Sequence, residues 1–141
     1  MLIRRFEPHD RDQVIALWKK AFPDDPPHNE PAAVLDAKLA VDDLIMVARD
    51  GDESVEERCV GACMGGYDGH RGWLYAVAVS PDHRRRGIGR GLVQETIRAL
   101  RATGCIKVNL QIRADNQEVA DFYRSLGFSV EARVSMGLLL E

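Results

Sequence analysis

Residues 80–93 read Ser80-Pro-Asp-His-Arg-Arg-Arg-Gly-Ile-Gly-Arg-Gly-Leu-Val93. Ahead of them runs Trp73-Leu-Tyr-Ala-Val-Ala-Val79, apolar throughout and partly β-branched or aromatic, which predicts a strand. Behind them, Leu92, Val93, Thr96, Ile97 and Leu100 fall on one helical face, with Gln94, Glu95, Arg98 and Arg101 on the other. The spacing predicts a helix over about Gly89 to Thr103, stopped by Gly104. The turn between strand and helix holds Gly87, Gly89 and Gly91 beside Arg84, Arg85, Arg86 and Arg90. Such a turn suits an anion. Missing side chains let a ligand approach the main chain. The first N–H groups of a helix lack partners within the helix, and the macrodipole there is positive. Arginines add charge-assisted hydrogen bonds, and phosphate is the usual guest.

Three phosphate patterns compete for this turn. The P-loop requires Lys-Ser/Thr after its last glycine, and Arg90-Gly91 follows Gly89 instead. The dinucleotide fingerprint G-x-G-x-x-G requires a glycine where Leu92 stands. The third pattern, Arg/Gln-x-x-Gly-x-Gly/Ala, is met by Arg84-Arg-Arg-Gly87-Ile-Gly89 after a strand ending Val77-Ala-Val79-Ser-Pro81. This combination resembles the acetyl-CoA-binding turn of the GNAT N-acetyltransferase superfamily. The resemblance implies that main-chain N–H groups from Arg85 through Arg86, Gly87, Ile88 and Gly89 to Arg90 hold the pyrophosphate, with Arg84 opening the motif. It also implies that main-chain groups of Val77 and Val79 bond the pantetheine arm, as an added strand would.

Other features bound the answer. A chain of 141 residues predicts a single domain, 1–141, with a core of its own. A net charge of −3 argues against a dedicated nucleic-acid binder, and no aromatic residues interleave the Arg84–Arg86 cluster. No apolar run approaches the ~18 residues of a membrane span, and Met1-Leu-Ile-Arg-Arg-Phe6 lacks a signal-peptide core. Three cysteines, Cys59, Cys63 and Cys105, suit a reducing cytosol, so a cytoplasmic protein is expected. The Cys59-x3-Cys63 spacing is even on an expected strand and no finger-spaced Cys/His pair follows; small buried residues are expected there, and no metal.

In chain order, Leu2 to Phe6 reads as a strand. Asp10 is placed to N-cap a helix to about Ala21, with Gln13 three residues on and Val14, Leu17, Trp18 and Ala21 inward. The Pro23–Pro31 run is an irregular connection, and a second helix follows over Ala32 to Val41, burying Val34, Leu35 and Leu39. Leu44–Arg49 and Cys59–Tyr67 form a hairpin across the charged turn Asp50–Glu57. A tight turn at 67–72 enters the central strand. Ile106 to Arg113 alternates as a strand, Asn116 to Leu126 is helical up to Gly127, and Phe128–Val134 with Met136–Leu140 read as two closing strands. The order βααβββαβαββ gives an α/β fold: a mixed, mostly antiparallel sheet of 6–7 strands with about four helices, parallel only across the central helix. That is the order the resemblance implies over essentially the whole chain. Gly65-Gly-Tyr-Asp-Gly-His-Arg-Gly72 further resembles a segment of the YpeA-type bacterial acetyltransferases.

A second signature is Asn116-Gln-Glu-Val-Ala120-Asp-Phe-Tyr123-Arg-Ser-Leu-Gly-Phe128, similar to the superfamily's Asn…Ala…Tyr…Leu-Gly-Phe segment. Seven residues are nearly two helical turns, so Asn116 and Tyr123 share a face about 10 Å apart along the axis. The resemblance implies Asn116 at the pantetheine amide and Tyr123 near the CoA sulfur as general acid. Read alone, they are an N-cap and a half-buried tyrosine. The implied reaction is direct acetyl transfer to an amine, with an oxyanion held by the Val77 N–H and no acyl-enzyme. The base stays open among Tyr67, Asp68, His70, Tyr75 and a water chain. Resemblance to ribosomal-protein N-terminal acetyltransferases would place a glutamate where Gln111 stands, and glutamine accepts no proton. Trp18, His28 and the Pro23–Pro31 connection are expected to wall the acceptor pocket. A non-catalytic acyl-CoA-binding module with the same fold is the rival reading, and a homodimer is left open.

Overall fold

The computed structural model describes residues 1–51 and 58–140. The chain divides into two compact units, Met1–Leu110 and the segment from Gln111 onward. The first holds β1 (Leu2–Arg5), α1 (Arg11–Ala21), α2 (Pro31–Val41), β2 (Ile45–Asp50), β3 (Arg58–Tyr67), β4 (Gly72–Val79), α3 (Ile88–Ala102) and β5 (Val108–Asn109). Of the expected Asp50–Glu57 turn, residues 52–57 lie outside the described residues.

The strands form one sheet in the order β1-β2-β3-β4-β5, with the first three pairings antiparallel and β4–β5 parallel across α3. Alternation sorts the strand residues by face. Ile45, Val47, Ala62, Met64 and Ala78 meet Val14, Leu17 and Trp18 of α1 and Leu35 of α2 in one apolar cluster. Gly65, next to Met64, faces the other way, onto α3. A Cβ built there would stand 2.6 Å from Thr96 Cγ2 and 2.7 Å from Leu44 Cδ2, so the helix lies against bare backbone. The helical stripe read at Leu92, Val93, Thr96 and Leu100 is the buried face.

Three readings are corrected. Asp10 does not cap α1 with its side chain. It ends a short 3-10 turn, Pro8–Asp10, accepts the Glu7 N–H at 2.8 Å, and lies fully buried between the guanidinium groups of Arg4 (2.8 Å) and Arg49 (3.1 Å). A buried carboxylate demands charge partners, and two arginines outcompete a helix end. Gln13, the expected box partner, accepts from Arg49 and from the Cys59 N–H instead. Second, the strand expected over Ile106–Arg113 is paired only at Val108 and Asn109, opposite Gly72 and Trp73. Third, the sheet has five strands, not 6–7: residues 128–140 form no ladder among the described residues. A strand exists only through a hydrogen-bonded neighbour, which apolar content alone does not supply. Val130, Val134, Met136, Leu138 and Leu140 are exposed.

The second unit holds α4 (Gln117–Ser125). Asn116 caps it, its Oδ1 accepting the Val119 N–H at 3.2 Å. Gly127, at φ +98°, ends it, as a left-handed residue after a helix does.

Candidate active site

The chemistry begins at an irregularity in β4. Ala62 pairs with Ala78 and Met64 with Tyr75, so Ala76 and Val77 together oppose the single residue Cys63. This is a bulge, a device found beside many active sites. Ala76 sits at φ +49°, a conformation that costs an L-residue about 1–2 kcal/mol. Its carbonyl leaves the sheet and accepts the Trp18 indole N–H at 2.9 Å.

Beyond Trp73, the side of β4 away from β3 has no ladder partner among the described residues, because the β5 ladder ends at Trp73–Asn109. The Ser80 N–H donates to Val60 O at 2.7 Å, so Ser80 points toward β3. Alternation turns the main-chain groups of its neighbour Val79 the other way, to the open edge.

β4 runs into a short 3-10 turn, Pro81–His83, and then into the glycine turn. Arg85 (φ +64°) and Gly87 (φ +75°) both adopt left-handed backbone, which swings the chain into α3. The first main-chain bond of that helix is Gly91 N–H to Gly87 O at 3.0 Å. The N–H groups of Ile88, Gly89 and Arg90 precede it and have no intrahelical acceptor. A Cβ at Gly87 would meet nothing within 4 Å, so the main chain is open there. Arg84, Arg85, Arg86 and Arg90 are exposed around it. His83 Nε2 lies 3.1 Å from Asp50 Oδ2, tying the turn to the end of β2. Neither this tie nor the Trp18 bond is legible in the sequence, since both depend on where distant strands end.

On α4, Tyr123 is buried, its ring edge-to-face with Phe122 (centroids 5.0 Å) and Phe128 (5.6 Å). Asn116 is exposed and serves as the cap already described.

The four base candidates separate. Tyr67, Asp68 and His70 sit at the β3–β4 hairpin end, and Arg71 to Val77 spans about 20 Å of strand, far from the bulge. Asp68 Oδ1 accepts the main-chain N–H of Arg71 and of His70, each at 2.7 Å, and these bonds hold its carboxyl below the usual range. It is a turn residue and a weak base. Tyr67 Oη donates to Gly69 O at 3.2 Å. Tyr75 lies two residues from Val77 and is 44% exposed. Partial burial, with the Asp68 charge behind it, pushes its phenol up, so it keeps its proton at neutral pH. Gln111 donates its amide to Ser135 Oγ.

Cys59 and Cys63 are thiols, pushed by burial to about 11 and about 12. Among the described residues no group of three His, Cys, Asp or Glu side chains is placed to hold a metal ion, and no helix is long and apolar enough to cross a membrane.

A sequence model of the acetyltransferase (GNAT) family matches residues 11–128. An acetyltransferase of Sodalis glossinidius is 40% identical over 137 residues, covering 95% of this chain and 91% of that protein. Among solved structures, Naa20 of Chaetomium thermophilum in complex with a bisubstrate analogue is 27% identical with a TM-score of 0.73, over 92% of this chain and 72% of that one. An aminoglycoside N-acetyltransferase in complex with CoA shares the fold at a TM-score of 0.78 and 19% identity, over 98% and 93% of the two chains.

Proposed function

The chain belongs to the acetyltransferase (GNAT) family, and from that premise we propose that it moves the acetyl group of acetyl-CoA directly onto a primary amine of low pKa, such as the α-amine of a peptide. The observation that carries this reading is a succession along one stretch: an open β4 edge followed at once by a helix mouth ringed with exposed arginines. We read residues 1–141 as one acetyltransferase domain, since the family match runs through both compact units.

The residues fit the carrier. The N–H groups from Arg85 to Arg90 would hold the pyrophosphate, with the guanidinium groups of Arg84, Arg85, Arg86 and Arg90 adding charge-assisted bonds. Main-chain groups of Val77 and Val79, and the Asn116 amide, would take the pantetheine arm. Bound acetyl-CoA supplies an activated thioester, so an N–C bond forms as the C–S bond breaks, and the proton the amine sheds passes to solvent, from which Tyr123 is reprotonated after each turnover. The Val77 N–H would donate to the acyl oxygen as charge develops on it. Tyr123 would give its hydroxyl proton to the departing sulfur.

The amine must be neutral to attack. A lysine side chain titrates near ~10.4 and an α-amine near ~7.7–8. None of the four base candidates combines nearness to Val77 with a readiness to accept a proton. An acceptor already partly neutral at physiological pH therefore suits the site best. The test is thiol release from acetyl-CoA with a panel of amines at pH 7.5. Peptide α-amines should be turned over faster than lysine side chains, with a pH–rate profile that follows the acceptor's own pKa. Acetyl-CoA that binds without thiol release on any amine would leave an acyl-CoA-binding module.

A further inference from the structure

We propose that Trp18 is a positioning residue for acetyl transfer: its indole N–H holds the Ala76 carbonyl and thereby aims the Val77 N–H. The Ala76 carbonyl and the Val77 N–H belong to one peptide unit, which is trans and planar. The two groups point in opposite directions across that plane. A donor that captures the oxygen on the α1 side therefore sets where the N–H points. Trp18 is 2% exposed and packed in the cluster that includes Phe6, Leu35 and Met64, so its ring cannot turn away. The bond to Ala76 O is 2.9 Å, and Ala76 is left-handed without being glycine. Nothing intrinsic to alanine favours that geometry; an outside contact must hold it. The inference rests on the reading of Val77 as the donor to the acyl oxygen.

Trp18→Phe keeps an aromatic ring and deletes the donor. Steady-state kinetics should show kcat lowered about 10-fold or more, with the KM for acetyl-CoA within about twofold, because the lost interaction belongs to the transition state. A crystal structure of the variant should show Ala76 relaxed to negative φ and the 76–77 peptide rotated. Unchanged kcat in an active enzyme, or an unrotated peptide, overturns the inference. If Trp18→Phe fails to fold, benzothienylalanine at position 18 replaces N–H by sulfur in the same shape and gives both readouts. The failures are distinguishable. Wild-type protein that turns over no amine sinks the catalytic reading, while the peptide geometry in the variant still decides whether Trp18 sets it.

Discussion

At the scale of single residues, Tyr123 and Asp10 show how similar burial serves different ends. The Tyr123 ring is held edge-on by Phe122 and Phe128, so Tyr123→Phe keeps the packing and removes only the hydroxyl. If that hydroxyl protonates the leaving sulfur, kcat falls about 10²-fold or more while the KM for acetyl-CoA changes little. A variant with full kcat removes Tyr123 from the mechanism. Asp10 is a matter of stability. Burial alone would raise its pKa. The Arg4 hydrogen bond, the Glu7 N–H and the charges of Arg4 and Arg49 outweigh burial and hold it below the ordinary carboxylate value. A depressed folded pKa means the contribution is complete above about pH 4 and is lost as pH falls through the folded value. Asp10→Ala should therefore cost about 3–5 kcal/mol at pH 7, because Arg4 and Arg49 lose the buried carboxylate they share. Denaturant titrations at several pH values check this: the gap between wild type and variant should narrow below pH 4. A gap independent of pH would mean packing, not charge, is lost.

At the scale of elements, α3 and the strand beneath it fit through an absence of side chain. Gly65 faces α3, where an added methyl group would overlap Thr96 and Leu44. Gly66, one residue on, faces the other side, where a methyl would meet Tyr75 at 3.5 Å and Lys38 Nζ at 3.7 Å, ordinary contact distances. Gly65→Ala should cost about 1–3 kcal/mol and Gly66→Ala well under that, read as a shift of the urea midpoint at constant slope. Equal costs would show that strand flexibility, and not the helix contact, explains both glycines. Gly87 makes a different case. Space is open around it, but φ is +75°, so Gly87→Ala strains the mouth of α3. Its expected signature is a raised KM for acetyl-CoA with a smaller change in kcat. What could be read in the sequence follows the same division. The Trp73–Val79 strand, the glycine turn and α3 were legible because period and turn chemistry are local. The short β5 and the missing closing strands were not, because a strand needs a neighbour. The Ala76 bulge was not, because alanine carries no signal for a left-handed backbone. Asp10 misled because Asp-x-x-Gln is equally a capping box and half of a buried ion-pair network.

At the scale of the whole molecule, the field opposes the ligand while the site attracts it. The chain carries a net charge of −3, and acetyl-CoA is an anion. Long-range attraction therefore cannot come from the protein as a whole; it must come from Arg84, Arg85, Arg86 and Arg90, all exposed around one helix mouth. Exposed charges act over a Debye length, about 30 Å at 0.01 M salt and about 3 Å at 1 M. Added salt should screen the repulsion of the distant carboxylates first and the close arginine–phosphate contacts last. The KM for acetyl-CoA should then change little up to about 0.1 M salt and rise several-fold toward 1 M. The melting temperature should stay nearly constant, since Asp10 and Arg49 are buried from the same ions. Arg84→Ala and Arg86→Ala should raise KM at low salt and flatten the rise at high salt, leaving kcat within about twofold. A KM that ignores both salt and arginine would move the whole grip onto the main-chain N–H groups of residues 88–90, whose hydrogen bonds depend on geometry far more than on ionic strength.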